Sequence, residues 1–153
     1  MKIKIATIED ITQIEVLYQE LFLEMSNLQP KYIKPAKQDV NFIRNTINDK
    51  KSDILLAEKD DSTIGFLLIQ ELMTPPYNCL VKHKYAFIVD VIVGSQYQSH
   101  GIGSVLLSEA KKWAEHRGLD YIELNVLSEN IGAMKLYEKL GYKHVMHTMR
   151  CEL

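Results

Sequence analysis

The stretch Ala86-Phe87-Ile88-Val89-Asp90-Val91-Ile92-Val93, followed a few residues later by Gln98-Ser99-His100-Gly101-Ile102-Gly103, decides how this chain is read. An apolar run of strand type leads through a short link into a turn with two glycines, and the turn opens a helix-patterned segment from Ser104 to Arg117. Glycines let the main chain approach a ligand closely and adopt dihedrals that a side chain forbids. The first turn of a helix leaves N–H groups unpaired, and the helix dipole puts partial positive charge at the same end. Such a turn suits an anionic, phosphate-bearing ligand held mainly by main-chain donors.

Two familiar phosphate-binding turns do not fit. A P-loop needs a lysine followed by Ser or Thr after its last glycine, and Ser104-Val105 supplies no such lysine. A dinucleotide fold would use Glu123, twenty residues past Gly103, but its third small position is here the bulky Leu106. The link Gly94 to His100 is also too long for the sharp turn of that fold.

Gln98-x-x-Gly101-x-Gly103 resembles the acetyl-coenzyme A binding motif of the GNAT superfamily of N-acetyltransferases, written Gln/Arg-x-x-Gly-x-Gly/Ala. The run Asn130-Ile131-Gly132-Ala133-Met134-Lys135-Leu136-Tyr137-Glu138-Lys139-Leu140-Gly141-Tyr142 resembles the family's second motif. Ser95 stands where many members have Pro, and Gln98 and His100 stand where Arg and Lys are common, so less charge reaches the pyrophosphate. The resemblance implies an α/β (α+β) fold, with a mixed central sheet of six or seven strands flanked by four helices in the order β-α-α-β-β-β-α-β-α-β. It implies an acyltransferase that moves the acetyl group of acetyl-CoA to a primary amine, on a small molecule or a peptide, by direct transfer in a ternary complex. Donor contacts are implied at Ile92, Val93, Gln98, Ser99, His100, Gly101, Ile102, Gly103, Ser104, Asn130, Ala133 and Tyr137, with the N–H near Val93 facing the thioester carbonyl. A homodimer is compatible with the family. The alternative is a non-catalytic acyl-CoA-binding sensor or interaction module, and a nucleotide-binding domain is a third reading.

The residues carry part of this on their own. Coenzyme A brings an activated acyl group, so the protein needs a path for the amine's proton, a stabiliser for the oxyanion and an acid for the departing thiolate. Asn130, Ala133 and Tyr137 fall at i, i+3 and i+7, on one face of a helix, with a small residue between the two larger ones. Tyr137 is the acid candidate, because an ordinary tyrosine is protonated at neutral pH; its plain reading is one more core residue of an amphipathic helix. Asp90 is a carboxylate inside an apolar strand, costly to bury unless paired or reached by water. It is either the general base, acting through water, or a hydrogen-bonded structural aspartate. Asn130 can cap its helix, contact the pantetheine arm, or do both.

Composition narrows the class. A chain of 153 residues, 46% hydrophobic, suits one domain over 1–153. A formal charge of −2, from 18 basic and 20 acidic residues, argues against a nucleic-acid-binding module. Met1-Lys2-Ile3-Lys4-Ile5-Ala6-Thr7 has no long apolar stretch behind its lysines, so no signal peptide and no membrane span are expected, and a cytoplasmic setting is. Cys79 and Cys151 read as reduced thiols. No metal is expected: His144 and His147, three apart on a predicted strand, would point to opposite faces.

Periodicity predicts strands at Ile3 to Ala6, Ile54 to Glu58, Ile64 to Leu72, Tyr85 to Val93, Tyr121 to Val126 and Tyr142 to Arg150. Helices are predicted behind a Thr7/Asp10 capping box, around Val40 to Ile47, from Ser104 and from Asn130. Ser26 to Ala36, with Pro30 and Pro35, is expected to break the first helix, and the family resemblance implies that Glu24 to Gln38 walls the acceptor side. The charges there, Lys31, Lys34 and Lys37 against Glu20 and Glu24, point to neither a polycation nor an acid as acceptor.

Overall fold

A computed structural model describes residues 1–153. Strand β1 (Lys2–Ile5) is followed by helices α1 (Ile11–Leu28) and α2 (Val40–Asn48), then by strands β2 (Ser52–Lys59), β3 (Ser62–Met73) and β4 (Lys84–Val93). Helix α3 (Ile102–His116), strand β5 (Ile122–Leu124) and helix α4 (Ile131–Lys139) complete the order. One sheet holds the strands as β1-β2-β3-β4-β5, antiparallel except for the parallel pair β4–β5.

The strands read as continuous apolar runs because both faces of the sheet are covered. Leu55, Leu67, Ile69, Ala86 and Ile88 pack with Leu106, Leu107, Ala110 and Trp113 of α3. Ile54, Leu56, Phe66 and Leu68 face the other way, onto Ile14, Leu17, Tyr18 and Leu21 of α1 and Ile43 of α2. Each large apolar side chain fully removed from water contributes about 1.5–3 kcal/mol, so the two layers hold the strands in place beneath the site.

Local chemistry sets the helix ends. The Asp10 carboxylate accepts from the Thr7 N–H at 2.8 Å and from its hydroxyl at 3.0 Å, so the expected capping box is present, with a single 3₁₀ turn before α1. Asp39 caps α2 by accepting from the Asn41 N–H at 2.8 Å. Helix α1 does not break at Ser26. That residue is buried, its hydroxyl donates back to the Leu23 carbonyl at 2.7 Å, and the helix runs on to Leu28.

The sheet has five strands, not six or seven, although the four helices are as expected. No strand forms from Tyr142 to Arg150; the chain there is irregular and, past Tyr142, exposed. A strand needs a partner for its main chain, and this segment bonds to no other strand. Without a strand to separate them, the His144 and His147 rings stack, centroids 5.9 Å apart, contrary to the opposite-face expectation. Both cysteines are free and exposed. No helix is long and apolar enough to cross a membrane.

Candidate active site

The site begins where β4 and β5 part. They pair only through Ala86–Ile122, Phe87–Glu123 and Ile88–Leu124, while β4 continues to Val93 with β3 as its sole neighbour. On the β3 side Leu68 registers with Asp90 and Ile69 with Ile88, so Val89 is an extra residue. This bulge changes which face each side chain takes. Ala86 and Ile88 lie in the α3 layer, and in a regular strand Asp90 and Ile92 would join them. Instead Ile92 packs in the α1 layer and Val91 and Val93 against the α3 layer.

Asp90 therefore meets α1. The Tyr18 hydroxyl, on a side chain fully enclosed in the α1 layer, donates to the Asp90 carboxylate at 2.8 Å. Burial pushes the Asp90 pKa above the ordinary carboxylate value, and the Tyr18 hydrogen bond opposes part of that rise. Tyr18 itself is held protonated, its pKa driven far up by burial and by the neighbouring carboxylate.

Asp90 shares a cleft of about 110 Å³ with Asn130 and Tyr137 from the α4 side and Leu21 and Met25 from α1. Tyr137 is 9% exposed, and its hydroxyl has no partner in the protein. Burial, with a smaller contribution from Tyr142, pushes its pKa up to about 12, so it stays a proton donor across the neutral range. The Asn130 side chain accepts from the Ala133 N–H at 3.1 Å and caps α4. Its capping role is thus seen directly, and its amide N–H groups are left over. The larger hollow, about 230 Å³ between α1, β3 and the Gly94–Tyr97 loop, holds neither Asp90 nor Tyr137.

The glycine turn lies against the end of β4 and against α4, where Gly103 approaches Val93 and Leu136. Helix α3 starts at Ile102, two residues earlier than the pattern suggested, with Gly101 at φ +79° as its N-cap. The main-chain N–H groups of Gln98 to Ser104 find no acceptor in the protein. Gly101 is required by its left-handed backbone, whereas Gly103 sits in a tight space: a Cβ there would lie 3.3 Å from Leu136 Cδ2 and 4.0 Å from Val93 Cγ2. Ser99 also takes a positive φ, of 64°. His100 Nδ1 lies 2.7 Å from the Gln98 carbonyl and so, donating, braces the turn.

The end of β4 presents one further donor. The Gly94 N–H donates to the Ile64 carbonyl of β3 at 2.9 Å, and a Cβ on Gly65 would lie 2.8 Å from the Ile92 carbonyl oxygen, so that oxygen also faces β3. A trans peptide points its C=O and N–H in opposite directions. The Val93 N–H therefore points away from β3, into the gap left by β5.

The expected contact residues divide by what they can offer. Ile92 and Ile102 are buried at 3% and 6%, with side chains in the two core layers, and can contribute only main chain. Half-buried Ala133 packs against the α3 layer and keeps the space between Asn130 and Tyr137 open. Gln98 does not reach outward: its amide donates to Glu24 at 2.8 Å and to the Val93 carbonyl at 3.1 Å. Glu20 accepts from the Ser95 N–H at 3.0 Å. Glu20 and Glu24, read from the sequence as charges near an acceptor, instead tie the loop to α1, and burial raises the Glu24 pKa against the effect of its Gln98 bond. Tyr18 escaped the sequence reading, because within α1 it fits the apolar stripe and nothing marks its hydroxyl as the partner of a residue 72 positions away.

Known proteins resemble this chain in sequence and in fold. The chain is 27% identical over 146 residues to an uncharacterised N-acetyltransferase of Bacillus subtilis, YhfO, covering 94% of this chain and 90% of that one. A variant of the BH1408 protein of Bacillus halodurans superposes with a TM-score of 0.94 at 21% identity, covering 100% of this chain and 99% of that one. The aminoglycoside N-acetyltransferase AAC(6')-Iy, solved with CoA, superposes with a TM-score of 0.74 at 14% identity, covering 98% and 100%. At those identities the structural likeness is one of fold. The model of the acetyltransferase (GNAT) family matches residues 13–142, which span both motifs, the splayed strands and the cleft between them, and the chain accordingly belongs to that family of acyltransferases.

Proposed function

We propose that this protein, acting as one domain, is an N-acetyltransferase that moves the acetyl group of acetyl-CoA directly to the primary amine of a small molecule in a ternary complex. The observation that carries this reading is the convergence of Asp90 and Tyr137 on one cleft, together with a run of unpaired N–H groups in the turn that packs on Val93 at the end of β4. In this reading the N–H groups of Gln98 to Ser104 and the dipole of α3 hold the pyrophosphate, and the strand gap admits the pantetheine arm. Asn130 offers its amide to that arm.

The Val93 N–H stabilises the oxyanion that develops as the amine nitrogen attacks the thioester carbon. Asp90, ionised, takes a proton from the amine through water. Tyr137 gives its proton to the thiolate as the carbon–sulfur bond breaks and regains one from solvent. Its high pKa keeps the proton in place until negative charge builds on sulfur. The acceptor approaches from the α1 side, where Leu21, Met25 and Asp90 form the wall and Tyr18 holds Asp90 from behind it.

The test is release of CoA from acetyl-CoA in the presence of a panel of amines, spanning amino acids, polyamines, aminoglycosides and peptide N-termini. The proposal expects release stimulated by at least one small amine, with the acetylated amine formed in equal amount. CoA binding without turnover on any of them would instead indicate a binding module.

A further inference from the structure

The walls of the cleft constrain what can carry the amine. Leu21 and Met25 of α1 line it on one side, and Val126 and Leu127 line it after β5. Its polar lining is Asp90, Asn125, Asn130 and Tyr137, and no lysine, arginine or histidine is among the lining residues. With Asn130 and Tyr137 engaged by the donor, Asp90 is the one charge that the acceptor meets, and Asn125 offers one neutral amide.

A single stripe of α1 orders this wall from depth to rim. Tyr18, Leu21, Met25 and Gln29 recur at helical spacing, over about 16 Å at 1.5 Å per residue. At the inner end the Tyr18 hydroxyl donates to Asp90 at 2.8 Å. At the outer end Gln29, just past the last turn, donates from its amide to the exposed Glu129 carboxylate at 2.9 Å, and Glu129 immediately precedes Asn130. Between the two polar contacts the stripe offers only Leu21 and Met25. The basic side chains past the rim are occupied: Lys31 pairs with Glu152, and Arg150 stacks 3.6 Å over the Tyr32 ring.

Each kind of acceptor meets this wall differently. A carboxylate on the carbon next to the amine would lie beside ionised Asp90 with no cation to pair it, and an unpaired charge out of water is costly. The hydroxyls of a sugar ring would give up water against aliphatic groups that cannot hydrogen-bond. Methylene groups lose nothing there and gain from burial.

We infer, resting on the acetyltransferase reading of this cleft, that the acceptor presents its amine at the end of an unbranched aliphatic arm. Any charged or hydroxylated group sits at the far end of that arm, at the rim beside Gln29 and Glu129. Leu21 and Met25 set the preference, by keeping a carboxylate or a sugar ring away from the reacting nitrogen.

Three primary amines offered with acetyl-CoA test this: pentylamine, norleucine, which is pentylamine with a carboxylate beside the nitrogen, and glucosamine. The kcat/KM for pentylamine should exceed that for either of the others by about 100-fold, the scale of an unpaired charge or of several unmade hydrogen bonds. With free lysine, which carries both kinds of amine, fragmentation of the product should place the acetyl group on the side-chain nitrogen. Met25→Lys puts a cation in the wall and should narrow the gap between norleucine and pentylamine about 10-fold. Leu127→Lys, from the facing wall, should narrow it likewise, and thermal melts identify which variants are folded.

Norleucine or glucosamine used as well as pentylamine, or acetylation of lysine at its α-nitrogen, overturns the inference and leaves the acetyltransferase reading standing. An unchanged norleucine-to-pentylamine ratio in both folded variants also overturns it, because the acceptor would then lie elsewhere. No turnover of any amine by a protein that binds CoA overturns both together.

Discussion

The two sides of β4 differ more than any other pair of regions in the molecule. Toward β3 the strand is paired along its whole length, from Lys84–Met73 to Val93–Gly65, with one bulge. Toward β5 it keeps three pairs and then stands open. The paired side fixes positions, and the open side makes room. The bulge at Val89 couples the two, because it turns Asp90 toward α1 just past the point where β5 departs. The account would fail if the open side proved to be merely a frayed edge, so each variant below weakens one side and leaves the other intact.

The largest expected effect lies on the open side. Tyr137→Phe keeps the ring that packs on Tyr142 and loses a hydroxyl that no protein group uses. Turnover should fall about 10²- to 10⁴-fold, the usual range for general acid catalysis, while acetyl-CoA affinity stays within a few-fold and the melting temperature hardly moves. Steady-state kinetics and calorimetry on the same preparation check this. Full activity would return Tyr137 to the core.

Asp90→Asn comes next, at about 10²-fold in turnover, the lower part of that range because the proton passes through water. Its pH signature has opposite signs for activity and stability. Because burial raises the folded-state pKa, activity should rise with pH through that raised value, as the carboxylate forms. Stability should fall as the pH rises from the ordinary carboxylate range through the same raised value, since the fold disfavours the charge. The variant should lose both dependences. A pH–rate profile that keeps its acidic limb would leave Asp90 as a structural residue.

A smaller change is expected from the glycine turn. Gly103→Val puts branched carbon against Leu136 and Val93, so the Michaelis constant for acetyl-CoA should rise about 10-fold, on the order of the 1.4 kcal/mol that such a factor represents, with the fold retained. An unchanged constant in a folded variant would count against this site. The smallest change should follow Tyr18→Phe. Removing the hydrogen bond that favours the ionised form should move the acidic limb to higher pH and leave the plateau rate within a few-fold, a pattern that simple loss of packing would not produce.

What was legible in the sequence follows from the range of the interactions involved. The glycine turn, the Asn130 cap and the Ala133–Tyr137 face depend on residues a few positions apart, and local spacing displays them. The order of elements through α4 was legible for the same reason. The Tyr18–Asp90 bond and the fastening of the turn by Glu20 and Glu24 join residues more than 70 positions apart, and no local pattern encodes them. The bulge at Val89 depends on register with β3. The last strand was misread because alternation reports what a segment could do, whereas a strand exists only when another main chain meets it.

The central claim is that the gap beside β4 and the turn that packs on its end receive coenzyme A. Titrating the isotope-labelled protein with CoA and following its main-chain amides tests this without any assumption about the acceptor. The account predicts that the N–H signals of Val93 and of Gln98 to Ser104 shift together and saturate at one affinity. Saturable shifts confined to the hollow lined by Gln13, Leu17 and Gln96, with Val93 and the turn unmoved, would contradict it.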